Sequence, residues 1–489
     1  MAGPADAPTL LSRARAQMKA RLPGLAIESY RQALAIQPSP EASEELAEVL
    51  LRESHPQEAL SVLESVRMAS THSCRSSLLM ARALTESFRF EEAARHWRVA
   101  EGCCPDRAQF LQVQASCEAA VGRFDVARQL MSEAIDRKLD VAGSFYLLTT
   151  LKKMTVEDLP LVQSMRALSS TASLPHESLA KLNYGLGKTF DDLREFELAI
   201  GFFNEANRIS YSASPRRRAY KPEETRVFVD FLIEYFKAER LRQLSPLGLG
   251  SELPLFVVGM LRSGTTLTEN ILGSHSQIRA GGEQMFWTQR AIEFFQWTPR
   301  GLVCNFPAAM RLGPSYLQMI ETKEQRVRYV VDKNPTNIHL VPLLHCIFPK
   351  AKFVHLIRHP VDNLLSFWMT PFNADLSYVS HKGNLVDYYR NYLRLVDHLK
   401  DVMPAERFAT FGYEDLTTHP EVAIPSMLGH LGLSLETACL EPEKSRRAVL
   451  TPSVYQVREP IHRGSQNRWK NYEPWLGEFA DLLGSEAAL

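Results

Sequence analysis

A strand, a small-residue turn and a helix in immediate succession constrain this chain more than any other stretch. Residues 254–272 read Pro254-Leu-Phe-Val-Val-Gly-Met-Leu-Arg-Ser-Gly-Thr-Thr266, then Leu267-Thr-Glu-Asn-Ile-Leu272. The four apolar residues Leu255 to Val258, bounded by Pro254 and Gly259, predict a buried strand. Thr266 to Leu272 has helical spacing, with Leu267 and Ile271 on one face, and Gly273 ends it. The turn between them carries Gly259, Arg262, Ser263, Gly264, Thr265 and Thr266. Such a turn presents backbone N–H groups and the positive end of a helix to an anion, usually a phosphate.

The spacing almost matches the nucleotide loop G-x-x-x-x-G-K-[ST], with Gly259, Gly264 and Thr266 in register. Thr265 stands where that motif has lysine, and an arginine comes earlier, at 262. Loss of the lysine argues against ordinary nucleoside triphosphate hydrolysis, which relies on it and on magnesium. A phosphate-type anion is still expected. The plain structural alternative is a turn that only joins a strand to a helix.

Further short apolar runs follow at Arg328–Val331, Lys352–Ile357 and Phe408–Phe411, separated by helical segments. Buried strands alternating with helices predict a parallel sheet covered on both faces. Ligands of such sheets sit at the carboxyl ends of the strands, so polar residues just after each strand carry weight. Arg358 follows one strand, with Pro360 suited to the first turn of a helix and Ser366 about two turns along it. An arginine with a hydroxyl suits a second phosphate; a surface salt bridge is the alternative for Arg358. Asp332-Lys333 follows another strand, where Lys333 could equally be a surface lysine and Asp332 the acid of a magnesium-binding strand. Gly281-Gly-Glu283 places a carboxylate behind two glycines, as a base or as a neighbour of a helix cap.

The first 210 residues carry a different signature. Ala26, Tyr30, Ala33 and Pro38 recur in spacing as Ala93, Trp97, Ala100 and Pro105, with partial copies at Ala59–Leu63–Val66, Ala127–Met131–Ala134 and Ala199–Phe203–Ala206. The leading alanines 26, 59, 93 and 127 lie 33, 34 and 34 residues apart, and the next follows after 72. Phe90, Gly122-Arg-Phe124 and Phe196 supply an aromatic and a turn upstream. Small alanines let paired helices approach, and each hairpin must stack on its neighbours to bury its apolar face. Residues 152–180 keep helical character without the repeat and read as a worn copy. Proline, serine and Arg216-Arg-Arg218 mark a linker after residue 211, and a helix is expected over Glu223–Leu241 with Val227, Phe231, Ile233, Tyr235 and Phe236 mostly inward. The expected division is a helical domain over 8–211, a linker and helix over 212–250, and an α/β domain over 251–480.

At 489 residues two domains are the natural expectation. Lys+Arg and Asp+Glu both number 56, which gives no global bias towards nucleic acid or an anionic membrane. Seven cysteines without a CxxC pair argue for a reducing, cytoplasmic setting and offer no metal cluster. No secretory leader or membrane-spanning run is read from the sequence.

The Arg262-Ser-Gly-Thr-Thr266 loop, the Gly-Gly-Glu283 element, the Arg358…Ser366 pair and the closing Thr451–Pro460 and Arg468-Trp469 segments resemble the sulfotransferases that use 3′-phosphoadenosine-5′-phosphosulfate (PAPS). Among these they look most like protein-tyrosine sulfotransferases and bacterial proteins that fuse such a domain to tetratricopeptide repeats, whose period is about 34 residues. The resemblance spans about residues 254–475. It implies that Arg262, Ser263, Gly264, Thr265 and Thr266 hold the 5′-phosphosulfate, and that Arg358 and Ser366 hold the 3′-phosphate. By the same resemblance Glu283 is the general base, while Lys333 and Ser453, with Arg262, stabilise charge during transfer. Tyr413 and Arg468 match further donor contacts, although the family has lysine where Arg468 stands. A protein or peptide acceptor reaching the repeat groove is implied, and a homodimer is an allowed arrangement. Eukaryotic members are membrane-anchored in a secretory compartment, a departure that leaves the acceptor open between protein tyrosine, a sugar, a lipid and a small phenol. A repeat scaffold whose attached domain binds nucleotide without turnover is the non-enzymatic alternative.

Overall fold

The computed structural model describes residues 6–20, 22–53, 55–67, 73–87, 89–102, 107–170, 174–213, 220–321, 327–372, 376, 378–445 and 455–484. Two compact units divide the chain at Leu151/Lys152.

The first unit is helical. Its described helices run in successive hairpins: Ala7–Lys19 with Pro23–Ile36, Pro40–Arg52 with Pro56–Arg67, Cys74–Glu86 with Phe90–Glu101, and Arg107–Ala120 with Phe124–Asp136, before Val141–Thr150. The second helix of each pair begins at the proline or phenylalanine that precedes a recurring alanine. Ala26, Ala59, Ala93 and Ala127 are all wholly buried, and so are Ala100 and Ala134 in the following turns. Tyr30, Leu63, Trp97 and Met131 fill the space between them. Alanine at these points lets backbones approach at no side-chain entropy cost, and the larger residue supplies the buried area. Pro105, Cys103, Cys104 and the Val66 side chain lie outside the described residues.

The second unit holds a five-stranded parallel sheet in the order β2-β5-β1-β6-β7. Its strands are β1 (Pro254–Gly259), β2 (Ile278–Ala280), β5 (Tyr329–Lys333), β6 (Lys352–Ile357) and β7 (Phe408–Gly412); β3 (Phe295–Thr298) and β4 (Gly301–Cys304) make a separate antiparallel ribbon. The three strands expected beside β1 are present, with β5 extended to take in Asp332 and Lys333. β2 and the ribbon were not foreseen, because strands of three and four residues carry too little periodicity. β1 lies centrally between β5 and β6, all six of its residues buried. Its register sets Val257 against Lys333 and Gly259 against Leu356, while Ile357 faces Gly412. The carboxyl ends of β1, β5, β6 and β7 therefore share one edge, as a parallel sheet requires.

Two expectations shift. The helix over Glu223–Leu241 is two helices, Pro222–Tyr235 and Ala238–Leu244, broken where Phe236 leaves helical geometry and Lys237 is extended; the buried face is Val229, Leu232 and Phe236. The hairpin His176–Asp192 and Phe196–Ala213, read from its alanines as the last repeat, falls by packing within the second unit. There Asn207 Nδ2 donates to Trp368 O at 2.8 Å and Trp368 Nε1 donates to Asn204 Oδ1 at 2.8 Å. The packing boundary thus precedes the proline- and serine-rich marker after residue 211, and Arg216–Arg218 lie outside the described residues.

Candidate active site

The loop after β1 is built tightly. Gly259 has φ 154°, and a Cβ there would lie 2.5 Å from Leu356 O. Gly264, with φ 104°, caps the helix Thr265–Gly273, and a Cβ on it would lie 2.4 Å from the Tyr413 ring. Arg262 also sits at positive φ, 65°, a conformation that costs a non-glycine residue roughly 1 kcal/mol or more. Its Nε donates to Ser366 Oγ at 3.1 Å, which ties the loop to the helix Pro360–Trp368. Asn363 on that helix donates to Leu261 O at 2.9 Å.

Arg358 emerges from β6 into the same place and is 6% exposed. Its Nη1 donates to Arg262 O at 3.1 Å and its Nη2 to Ser465 O at 2.6 Å. The guanidinium lies 4.9 Å from the centre of the Tyr413 ring, a favourable cation–π distance. Arg358 Nε and Ser263 Oγ are both buried and have no hydrogen-bond partner among the described residues. Buried donors left this way cost about 1–3 kcal/mol each, so both are places for an anion's oxygens. With a cradle that excludes a Cβ at Gly264, a helix terminus and a buried arginine, the residues present fit a phosphosulfate and a second phosphate. Thr265 is buried at the helix start and Thr266 follows it.

On the β5 side, Lys333 is 1% exposed and its Nζ donates to Glu283 Oε1. The Glu283 side chain is 43% exposed, so one oxygen holds the lysine while the carboxylate faces solvent. Its loop is fixed by backbone: Gly281 N donates to Val331 O at 2.8 Å and Lys333 N to Gly282 O at 3.0 Å. Glu269, in the helix that follows the anion loop, accepts from Gly282 N at 2.8 Å. One helix thus positions the anion cradle with its first turn and the Glu283 loop with its second.

Asp332 takes no part in this edge. It is fully buried, its Oδ2 accepting from the Tyr316 hydroxyl at 2.8 Å and its Oδ1 from Asn337 at 3.4 Å. Burial pushes its carboxyl up to about 8. The Arg468 guanidinium pairs with Asp191. Tyr413 packs under Arg358, its ring centre 4.9 Å from the guanidinium, whereas Ser453 lies outside the described residues. Asn363, Glu269, Ser465 and Asp191 were not singled out from the sequence. Only Glu269 left a local signal, a carboxylate four residues along from Thr265 on a helix whose neighbouring residues are buried. No group of three or more His, Cys, Asp or Glu among the described residues could hold a metal ion.

Residues 254–437 match the model of the sulfotransferase family. The C-terminal half carries a sulfotransferase-family domain. An "uncharacterized protein" of Aquifex aeolicus is 26% identical over 430 residues, covering 83% of this chain and 54% of that protein. Protein-tyrosine sulfotransferase 2 of Gallus gallus is 24% identical over 252 residues, 46% of this chain and 65% of that enzyme. This chain therefore spans about half to two-thirds of the length of these relatives. Among solved structures, the sulfotransferase domain from the curacin biosynthetic pathway aligns at 17% identity with a TM-score of 0.36, covering 49% of this chain and 98% of that one. Among the described residues no helix is long and apolar enough to cross a membrane.

Proposed function

We propose that this sulfotransferase-family domain moves a sulfuryl group from PAPS to a hydroxyl, with protein tyrosine as the acceptor. The observation that carries the reading is the pairing of two constellations along one sheet edge. At the tips of β1 and β6 stands a cradle with Ser263 Oγ and Arg358 Nε, both without a partner among the described residues. At the tip of β5 stands a lysine–carboxylate pair that is half open to solvent.

Bound at the loop, PAPS supplies an activated sulfur–oxygen bond to phosphate. The loop backbone, Arg262, Ser263 and Thr265–Thr266 hold its anionic end, and Arg358 with Ser366 holds the 3′-phosphate. Glu283 accepts the acceptor hydroxyl's proton on its exposed side. The acceptor oxygen bonds to sulfur as the sulfur–oxygen bond to the donor phosphate breaks, and adenosine 3′,5′-bisphosphate (PAP) leaves with the electron pair. Sulfuryl transfer, like phosphoryl transfer, has a loose transition state, so positioning and stabilisation of displaced charge dominate. Lys333 supplies that charge at the reacting oxygens. A tyrosine hydroxyl with pKa near 10 needs a nearby base at neutral pH, which the half-exposed Glu283 provides; kinship with protein-tyrosine sulfotransferases favours that acceptor.

Incubation with 35S-labelled PAPS and a lysate of the host, followed by hydrolysis and separation of sulfated amino acids, tests the reading. Label in tyrosine O-sulfate is expected. Label only in glycan, lipid or small phenol would overturn the acceptor, and no PAPS-dependent label in any fraction would overturn the activity.

A further inference from the structure

A short strap, Ser465 to Tyr472, crosses the donor side of the catalytic unit and is pinned at both ends. At one end Ser465 O accepts from Arg358 Nη2 at 2.6 Å. In the middle Trp469 N donates to Asp362 Oδ1 at 2.8 Å, and the Trp469 ring stacks on His359 with centroids 5.6 Å apart and planes 10° from parallel. At the other end a single carboxylate, Asp191 on the helix His176–Asp192, takes both Arg468 Nη2 and the Tyr472 hydroxyl, the latter at 2.5 Å. Tyr472 is wholly buried, and its ring meets Phe196 edge-on at 5.2 Å.

The consequence falls on Arg358. Nη1 and Nη2 each give one of their two N–H groups, to Arg262 O and Ser465 O, and Nε has no hydrogen-bond partner among the described residues. The direction of Nε is set in part by where Ser465 holds Nη2, and Ser465 is held both by its neighbour Gln466, whose Nε2 donates to Glu414 O at 3.1 Å, Thr417 Oγ1 at 2.5 Å and Thr418 Oγ1 at 2.8 Å, and by the strap that runs on to Asp191. We propose that Asp191, which belongs to the helical hairpin rather than to the sheet, is a positioning residue for the donor: by anchoring the strap through Arg468 and Tyr472 it aims Arg358 at the 3′-phosphate. Arg468 is then an anchor and not itself a donor contact. The inference rests on the PAPS reading above.

Isothermal titration of the full chain with PAP and with adenosine 5′-phosphate, which lacks the 3′-phosphate, separates positioning from general loosening. A charge-assisted hydrogen bond is worth about a tenfold change in affinity. Asp191→Ala is therefore expected to weaken PAP about tenfold while changing adenosine 5′-phosphate less than about twofold. Tyr472→Phe, which keeps the ring packing, should shift PAP alone by about two- to fivefold, and Asp191→Glu should recover part of the loss. Should Asp191→Ala not fold, Tyr472→Phe carries the test. Unchanged or tighter PAP binding in folded variants would overturn the proposal, and so would equal losses for both nucleotides. Failure of the wild-type chain to bind PAP would overturn the donor reading together with this inference, whereas tight wild-type binding with insensitive variants would overturn the inference alone.

Discussion

Glu283 and Lys333 show how a residue's surroundings decide which substitution is informative. Removing Glu283 with alanine would leave the ammonium of a 1% exposed lysine without its acceptor, and the damage would mix folding with chemistry. Glu283→Gln keeps an oxygen for Lys333 and removes only the base. Turnover with a phenolic acceptor is expected to fall by about 10²- to 10⁴-fold, the usual worth of a positioned base, with PAP affinity unchanged by titration calorimetry. Near wild-type turnover would remove Glu283 from the role of base. At this scale the positions were legible: Glu283 lies three residues beyond β2, Lys333 ends β5, Arg358 follows β6 and Ser366 stands about two turns into the helix Pro360–Trp368, on the side where a parallel sheet collects its ligand groups. Asp191 and Ser465 were not legible, because a carboxylate on a helix and a serine in a tail acquire their roles only from partners far away in sequence. Arg468 was assigned from its position in a resembling segment, and its pairing with Asp191 left no mark in the sequence.

Among the elements, the turn between β1 and the helix Thr265–Gly273 is the most exacting, since it must fit under Tyr413 while keeping its amides pointed at a ligand. Gly264→Ala would push a Cβ into that ring at a φ of 104°. The expected result is a loss of stability of about 1–3 kcal/mol and loss of PAP binding beyond what the stability change explains, read by urea unfolding and titration of the same preparation. Full PAP affinity would show that the close approach is dispensable. β1, β6 and the helix after β1 were readable to within a residue at each end, since six consecutive buried residues in β1, five in β6 and an apolar helical face leave a strong pattern. The helix over Glu223–Leu241 was read as continuous because neither glycine nor proline marks its break; the interruption at Phe236 comes from burying that ring. The alanine spacing foretold the hairpins, but it could not say that the hairpin His176–Ala213 packs on the helix Pro360–Trp368 and the segment Arg468–Trp475. That depends on Asn204, Asn207 and Asp191, which the repeat pattern ignores.

For the molecule as a whole, buried titratable groups set the pH range in which the fold is most stable. Asp332 is raised to about 8 by burial, so the folded chain keeps a proton that the unfolded chain releases near pH 4. Its contribution is fully present below about pH 4 and is lost as pH rises through about 8, with a slope of up to about 1.4 kcal/mol per pH unit between them. His355 acts in the opposite direction: burial lowers it to about 3, and its neutral ring is held by Thr410 and Tyr392, so stability is lost as pH falls from about 6.5 towards 3. Asp332→Asn keeps the bond to Tyr316 and removes the proton. Its urea midpoint relative to wild type should rise between pH 5 and pH 8, and a constant difference would show that Asp332 does not titrate as its burial implies. The sheet order has a further consequence, in time rather than space. β1 leaves the ribosome first of the five strands, yet its neighbours are β5 and β6, more than seventy residues later in the chain. Both edges of the most apolar strand stay unpaired throughout that interval, while the locally connected helical hairpins can close at once. The anion loop is thus among the earliest parts of the catalytic half to be synthesised and among the last to be completed, which makes the nascent chain after β1 the interval of greatest exposure to aggregation.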